Sequence, residues 1–222
     1  MNSDRIRHNL IQVFGNKIGI GQADPRSQDH DLMPEEQAAV ANAVPKRLRE
    51  FAAGRAAART ALFELGLPQV AIPAGADRSP IWPEGFTGSI SHTETICMAV
   101  ATKIQNCKAI GLDIEPAEPL SSDIWDIVLT NEEHNLLRLL PEKLGGIQAK
   151  KIFSIKEATY KAQYPVSNML FDFQTLHVDL RGNKFVAKFC RNVSPFEIGD
   201  TIHGGVFEQD GHIFSAAFIP NS

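Results

Sequence analysis

The sequence is poor in cysteine. Among 222 residues there are three, Cys97, Cys107 and Cys190, and no Cys-x-x-Cys pair. An odd, scattered set excludes a disulfide framework and a cysteine zinc site, and it suits a reducing compartment. No run of about 18 apolar residues occurs, so no membrane-spanning helix is expected. The first twenty residues interleave Asp4, Arg5, Arg7 and His8 with Leu10 and Ile11, and lack the apolar stretch of a secretion signal. A cytoplasmic protein is the expectation. Positive charge is not in excess either: 22 Lys and Arg stand against 26 Asp and Glu, for a net charge of -4 and a pI near 6.0. A general nucleic-acid binder is usually basic, so no nucleic-acid partner is expected. Internal repeats and low-complexity tracts are also missing.

What is present is an ordinary globular composition, 43% hydrophobic, enough for one large domain or two small ones packed together. Gly15 to His30 is polar and reads as a loop. Pro34, Glu35 and Glu36 open a helix, since proline suits the first turn and acids suit the dipole. A longer helix follows Pro45, with Leu48, Phe51, Ala58, Leu62 and Leu65 apolar, and stops at Gly66 before Pro68. A loop rich in proline and glycine leads to two strands, Gly88 to Lys103 and Lys108 to Glu115, with a turn near Gln105-Asn106. Thr130 and Glu133 form a capping-box pattern for a helix over 132–140. A further helix runs from about Ile147 to Gln163 and ends before Pro165. The last third alternates like strands, and Asp210-Gly211 marks a hairpin turn. The mixture predicts an α+β fold with helices packed on antiparallel sheets.

Four local patterns carry chemistry. In Gly111-Leu112-Asp113-Ile114-Glu115-Pro116, residues two apart share a strand face, so Asp113 and Glu115 stand side by side. Mg²⁺ would offset their repulsion, because it takes a few carboxylates with phosphate oxygens and water; a solvated edge-strand face is the plain alternative. In Phe153-Ser154-Ile155-Lys156-Glu157-Ala158-Thr159-Tyr160-Lys161, Glu157 and Lys161 share a helix face. That could be no more than a surface ion pair worth about 0.3–0.5 kcal/mol. Ile152, Ile155, Thr159 and Ala162 form a separate, core-facing stripe. Ser89-Ile90-Ser91-His92 suits a phosphate contact or merely a turn. Arg47, Arg49, Arg55 and Arg59 lie on the long N-terminal helix, with Arg78 in the loop beyond. Arginines grip phosphate in a bidentate way, and each alone is by default a solvated side chain.

Together, in this order, these patterns resemble the 4′-phosphopantetheinyl transferases of the Sfp type, nearest the enterobactin-type branch. The resemblance rests on Gly54-Arg55-Ala56-Ala57-Ala58-Arg59, Arg78-Ser79-Pro80-Ile81-Trp82-Pro83, Ser89-Ile90-Ser91-His92, the Asp113/Glu115 strand and the Phe153–Lys161 helix. The last two are the most specific, and they stand at the family's spacing. The resemblance implies two similar α+β halves related by a pseudo-two-fold, here 1–112 and 113–222, with coenzyme A between them. It implies a monomeric, carrier-activating transferase (a holo-[acyl-carrier-protein] synthase) that moves phosphopantetheine onto a serine of an acyl or peptidyl carrier protein and releases 3′,5′-ADP.

Carried over residue by residue, the resemblance gives Asp113, Glu115 and Glu157 to Mg²⁺, with Mn²⁺ an alternative. Glu157 and Lys161 are then catalytic. Arg47, Arg55, Arg78, Ser91, His92, Lys156 and Lys161 contact coenzyme A, Lys156 reaching the coenzyme or the carrier. The segment from Ser121 to Leu144 is the expected carrier contact. Three rivals stand beside it: a Mg²⁺ nuclease, opposed by the low pI; a coenzyme- or carrier-binding module without catalysis, opposed by the complete set of acids; and an α+β protein of unrelated function, which would need several weak motifs to fall in family order by chance.

Overall fold

A computed structural model of the chain describes residues 2–221. Its architecture follows from two long helices that carry alanine where they meet a sheet. Strands β1 (Ile18–Ala23), β2 (Phe86–His92) and β3 (Cys97–Lys103) form one antiparallel sheet in the order β1-β3-β2. Strands β4 (Ala109–Pro116), β5 (Leu176–Arg181), β6 (Lys184–Phe189), β7 (Thr201–Gln209) and β8 (His212–Ile219) form the second, in the order β4-β8-β7-β6-β5. Helix α1 (Ser3–Phe14) precedes β1. The short α2 (Pro34–Gln37) and long α3 (Pro45–Glu64) lie between β1 and β2. The short α4 (Trp125–Val128), α5 (Asn131–Leu137) and the long α6 (Glu142–Ser167) lie between β4 and β5. The expected α+β class with antiparallel sheets is what forms.

Helix α3 lies on the first sheet through Ala53, Ala57, Ala58 and Ala61, all fully buried. A Cβ on Gly19 would stand 1.8 Å from the Ala61 carbonyl oxygen, and one on Gly21 1.9 Å from that of Ala57. Only glycine admits this approach. The second sheet repeats the device: a Cβ on Gly111 would stand 1.9 Å from the Ala158 carbonyl oxygen of α6. The two sheets meet where β2 runs beside β4. There the Ser89 hydroxyl accepts from the Leu112 amide at 3.0 Å, and that of Ser91 from the Ile114 amide at 3.1 Å. Helix α1 seals the junction: Ile6 and Leu10 pack with Val100, Leu112 and Phe214. Strand β4 runs unbroken across the expected division between residues 112 and 113, all eight residues laddered to β8.

Several expectations need correction. Residues 15–30 are not all loop, because β1 lies within them; Ile18 and Ile20 face the core while Gly19 and Gly21 admit α3. The single strand expected over 88–103 is two, β2 and β3, joined by a turn in which the Thr93 hydroxyl accepts from the amides of Thr95 and Ile96, both at 3.3 Å. Leu48, expected among the apolar positions, is exposed. Helix α5 is shorter than expected, and α6 is longer, running through Pro165 to Ser167. Proline there removes one amide from the last turn only. The helix then ends on left-handed Asn168, whose amide donates to the Tyr164 carbonyl at 2.9 Å.

Other expectations hold. Gly66 closes α3 with a Schellman pair, Leu67 N–H to Leu62 and Gly66 N–H to Phe63. Thr130 and Glu133 form the capping box. Asp210 and Gly211, both with positive φ, turn the β7–β8 hairpin.

Candidate active site

The Gly111–α6 contact decides where the site lies. On β4, Ile110, Leu112 and Ile114 face the core under α1, and the alternate residues face α6. Gly111 brings the helix down onto the strand, so Asp113 and Glu115 lie against the turns of α6 that carry Glu157 and Lys161. The Lys161 ammonium donates to Asp113 Oδ1 at 2.7 Å and to the Ser91 hydroxyl at 3.2 Å. The Ser91 hydroxyl also bonds Asp113 Oδ1, at 3.2 Å. Three of the expected motifs, on β2, β4 and α6, therefore meet at one carboxylate. Lys161 reaches across to Asp113 rather than pairing along its own helix with Glu157.

Glu115 accepts from Lys150 at 3.1 Å. Lys150 was not foreseen, although it lies seven residues before Glu157 and so on the same helical face. Asp113 is 4% exposed, and its Oδ2 is buried without a hydrogen-bond partner. Burial raises the carboxyls of Glu115 and Glu157 above the usual range. The Asp113 charge raises both further, and Lys161 opposes the shift in each. The pocket thus crowds three acids and offsets them incompletely with two lysines.

Among the described residues, no group of three or more His, Cys, Asp or Glu side chains closes into a metal cage. Mg²⁺ does not require one, since it usually takes one or two carboxylates and completes its shell with water and phosphate oxygens. An orphaned, buried carboxylate oxygen beside two carboxyls with raised pKa fits that open kind of site.

The basic residues separate into distinct roles. Arg55 is 5% exposed; its guanidinium stacks over the Phe51 ring, Nε donates to the Ile72 carbonyl at 2.6 Å, and Nη2 is buried without a partner. Burial lowers its pKa to about 10, helped by the charges of Arg47 and Arg59 and opposed by Glu36. Arg47 is exposed, 3.9 Å from Glu50. His92 is half-buried at the end of β2, opposite Cys97, whose ionisation Arg55 also affects. Arg47, Arg55 and His92 thus share one end of the first sheet. Arg59 instead pairs with the fully buried Glu36 at 2.8 Å and pins α2 to α3.

Lys156, expected at the coenzyme or carrier, is fully enclosed. Its ammonium donates to Glu133 at 2.7 Å and to the Val128 carbonyl at 2.8 Å. Glu133 also accepts from the Val178 amide at 2.7 Å. One buried charge pair therefore knits α4, α5, β5 and α6 together and commits two of the three Lys156 N–H donors to that framework. Beside Glu157, a cavity of about 420 Å³ is lined by Lys156, Tyr160, Phe171, Asp172, Phe173 and Leu176. Tyr160 comes from α6, while Phe171 and Phe173 lie between α6 and β5, where no periodic signal marks them.

Comparison with known proteins decides the family. The family model described as the 4'-phosphopantetheinyl transferase N-terminal domain matches residues 35–102. The one described as the 4'-phosphopantetheinyl transferase superfamily matches residues 109–205. The chain belongs to the 4′-phosphopantetheinyl transferase superfamily. It is 37% identical to 4'-phosphopantetheinyl transferase Svp of Streptomyces mobaraensis, over 71% of this chain and 65% of Svp. It is 35% identical to 4'-phosphopantetheinyl transferase Npt of Nocardia iowensis, over 72% of each. It is 36% identical to enterobactin synthase component D of Salmonella typhimurium, over 70% of this chain and 65% of the relative. The aligned stretches therefore span about two thirds of these relatives' length. In this superfamily member the two family models part between β3 and β4. Both halves of the site, the Ser91-His92 end and the acids, lie inside matched segments.

Proposed function

We propose that the protein transfers the 4′-phosphopantetheine arm of coenzyme A to a serine of an acyl or peptidyl carrier protein and releases 3′,5′-ADP. The observation that carries the reading is Asp113. It is buried with one free oxygen, and it is bonded through the other to Lys161 and Ser91, from a strand and a helix that match the family. The reaction moves a pantetheine-bearing phosphoryl group from a pyrophosphate to a serine, so positioning and neutralisation of charge are the main needs.

Asp113, Glu115 and Glu157 would hold Mg²⁺, or Mn²⁺, against the pyrophosphate. Bound there, the ion supplies charge neutralisation on the phosphate oxygens. The carrier serine oxygen attacks the β-phosphorus, and the bond to the bridging oxygen of 3′,5′-ADP breaks. Glu157 takes the serine proton directly or through a water. Lys161 keeps a cation beside the pyrophosphate and holds Asp113 in place. The free Nη2 of Arg55, with Arg47, Arg78 and His92, receives the phosphates of the nucleotide end. The aromatic cavity beside Glu157 suits the uncharged pantetheine arm.

The carrier surface is read in the expected segment from Ser121 to Leu144. Ile127, Leu136, Leu139 and Leu144 are exposed there, on elements anchored by Lys156 and Glu133. A cytoplasmic monomer is the accompanying reading; the three free cysteines among the described residues bear on the compartment alone. The test is release of 3′,5′-ADP from coenzyme A in the presence of an apo carrier. Release that needs the carrier serine supports the reading, and coenzyme A binding without release contradicts it.

A further inference from the structure

The loop between α3 and β2 is hydrogen-bonded to α6. Tyr164 donates its hydroxyl proton to Asp77 Oδ2 at 2.6 Å, joining residues 87 apart. The other Asp77 oxygen accepts from the Ser79 amide at 3.0 Å and from the Ser79 hydroxyl at 2.7 Å. Both oxygens are therefore in use, one shaping the loop tip and one tying it to the helix. Between them stands Arg78, exposed, with φ of 68°. The turn is closed by Arg78 N–H to the Gly75 carbonyl at 2.9 Å and Gly75 N–H to that of Ser79 at 2.8 Å. A non-glycine residue in the left-handed region is strained and persists where its surroundings hold it.

The helix side of the contact belongs to the site. Glu157, Lys161 and Tyr164 are spaced i, i+4 and i+7 on α6 and so share a face. Tyr164 stacks on Tyr160, with ring centroids 5.8 Å apart. Seven residues of helix rise about 10 Å. The face that presents Glu157 to the acids therefore presents Tyr164 to the loop about 10 Å further along, the scale separating a pyrophosphate from the far end of its nucleotide.

We infer that the Tyr164–Asp77 hydrogen bond is a clasp across the coenzyme cleft that fixes Arg78 where it meets a phosphate of the nucleotide. Tyr164 and Asp77 are thus positioning residues acting through Arg78, and this rests on the coenzyme A reading above. Tyr164→Phe keeps the ring stack and removes only the bond. Asp77→Asn keeps an oxygen for Ser79 and offers an N–H to the Tyr164 oxygen, whereas Asp77→Ala keeps neither.

The experiment is calorimetric titration of coenzyme A into the wild type, Tyr164→Phe, Arg78→Ala and the double variant, with thermal midpoints alongside. The expected result is a Kd raised roughly three- to tenfold by Tyr164→Phe, the scale of one hydrogen bond, at an unchanged midpoint. In the Arg78→Ala background the same substitution has no effect. Asp77→Ala, which also removes the two Ser79 bonds, raises the Kd at least as much as Tyr164→Phe, and Asp77→Asn stays within about twofold of wild type. An equal effect of Tyr164→Phe in both backgrounds, or none in the wild type, overturns the clasp and leaves the functional reading standing. Failure of the wild type to bind coenzyme A overturns that reading, and the clasp with it.

Discussion

Lys161 Nζ lies 2.7 Å from Asp113 Oδ1 while Asp113 Oδ2, buried, has no partner. One oxygen of this carboxylate is held and the other is left for a ligand. Asp113→Asn keeps the shape and removes the charge. It should lower kcat by about a hundredfold or more, the scale for losing a group that stabilises transition-state charge, and leave the far-ultraviolet circular dichroism unchanged. Steady-state kinetics with an apo carrier checks this, and a variant within threefold of wild type would remove Asp113 from the chemistry.

Burial raises the pKa of Glu115 and Glu157, and the sign of the consequence is fixed. A carboxyl whose folded pKa exceeds its unfolded value stabilises the fold fully below the ordinary carboxylate range. That contribution is lost as pH rises through the raised pKa. The metal-free protein should therefore be less stable at pH 8 than at pH 5.5 through these groups. Mg²⁺, which needs them ionised, should raise the thermal midpoint more at pH 8. Glu157→Gln should raise the metal-free midpoint at pH 8, shrink the Mg²⁺ response and abolish transfer. Differential scanning fluorimetry across pH with and without MgCl₂ measures all but the last.

Lys156 neighbours Glu157 in sequence but is structural. Lys156→Met leaves Glu133 buried and unpaired, which should cost about 3–5 kcal/mol. Denaturant unfolding reads this directly. The folded fraction should bind coenzyme A with unchanged Kd. A stable variant with weakened coenzyme binding would return Lys156 to the ligand.

The cysteines divide by environment. Burial pushes the Cys97 thiol up to about 12, while Cys190 is exposed. A thiol reagent at pH 8 should modify Cys190 quickly and leave Cys97 untouched until the protein unfolds. Because its folded pKa is raised, Cys97 favours the fold fully below about pH 9 and less as pH rises towards 12. Peptide mapping after timed alkylation settles which cysteine reacts.

The acids were legible because a strand's period of two puts Asp113 and Glu115 together, and the Glu157–Lys161 spacing is equally local. The Thr130 box, the Gly66 stop and the Asp210-Gly211 turn are local as well. What the sequence hid depends on contacts between distant residues. Gly19 and Gly21 read as loop because their function, admitting the backbone of α3, is invisible until Ala57 and Ala61 are placed against them. Helical arithmetic turned Lys156 about 100° from Glu157 but could not say that Glu133 fills that side. Lys150 follows from the helix face only once Glu115 is known to lie under it. The Asp77–Tyr164 bond, across 87 residues, leaves no periodic trace at all.

The most direct test of the central claim is the intact mass of an apo carrier protein after incubation with this protein, coenzyme A and Mg²⁺. The account predicts a gain of one phosphopantetheine, abolished by EDTA and by Asp113→Asn. A carrier whose mass does not change, across carriers of several pathways and with coenzyme A bound to the protein, would contradict it.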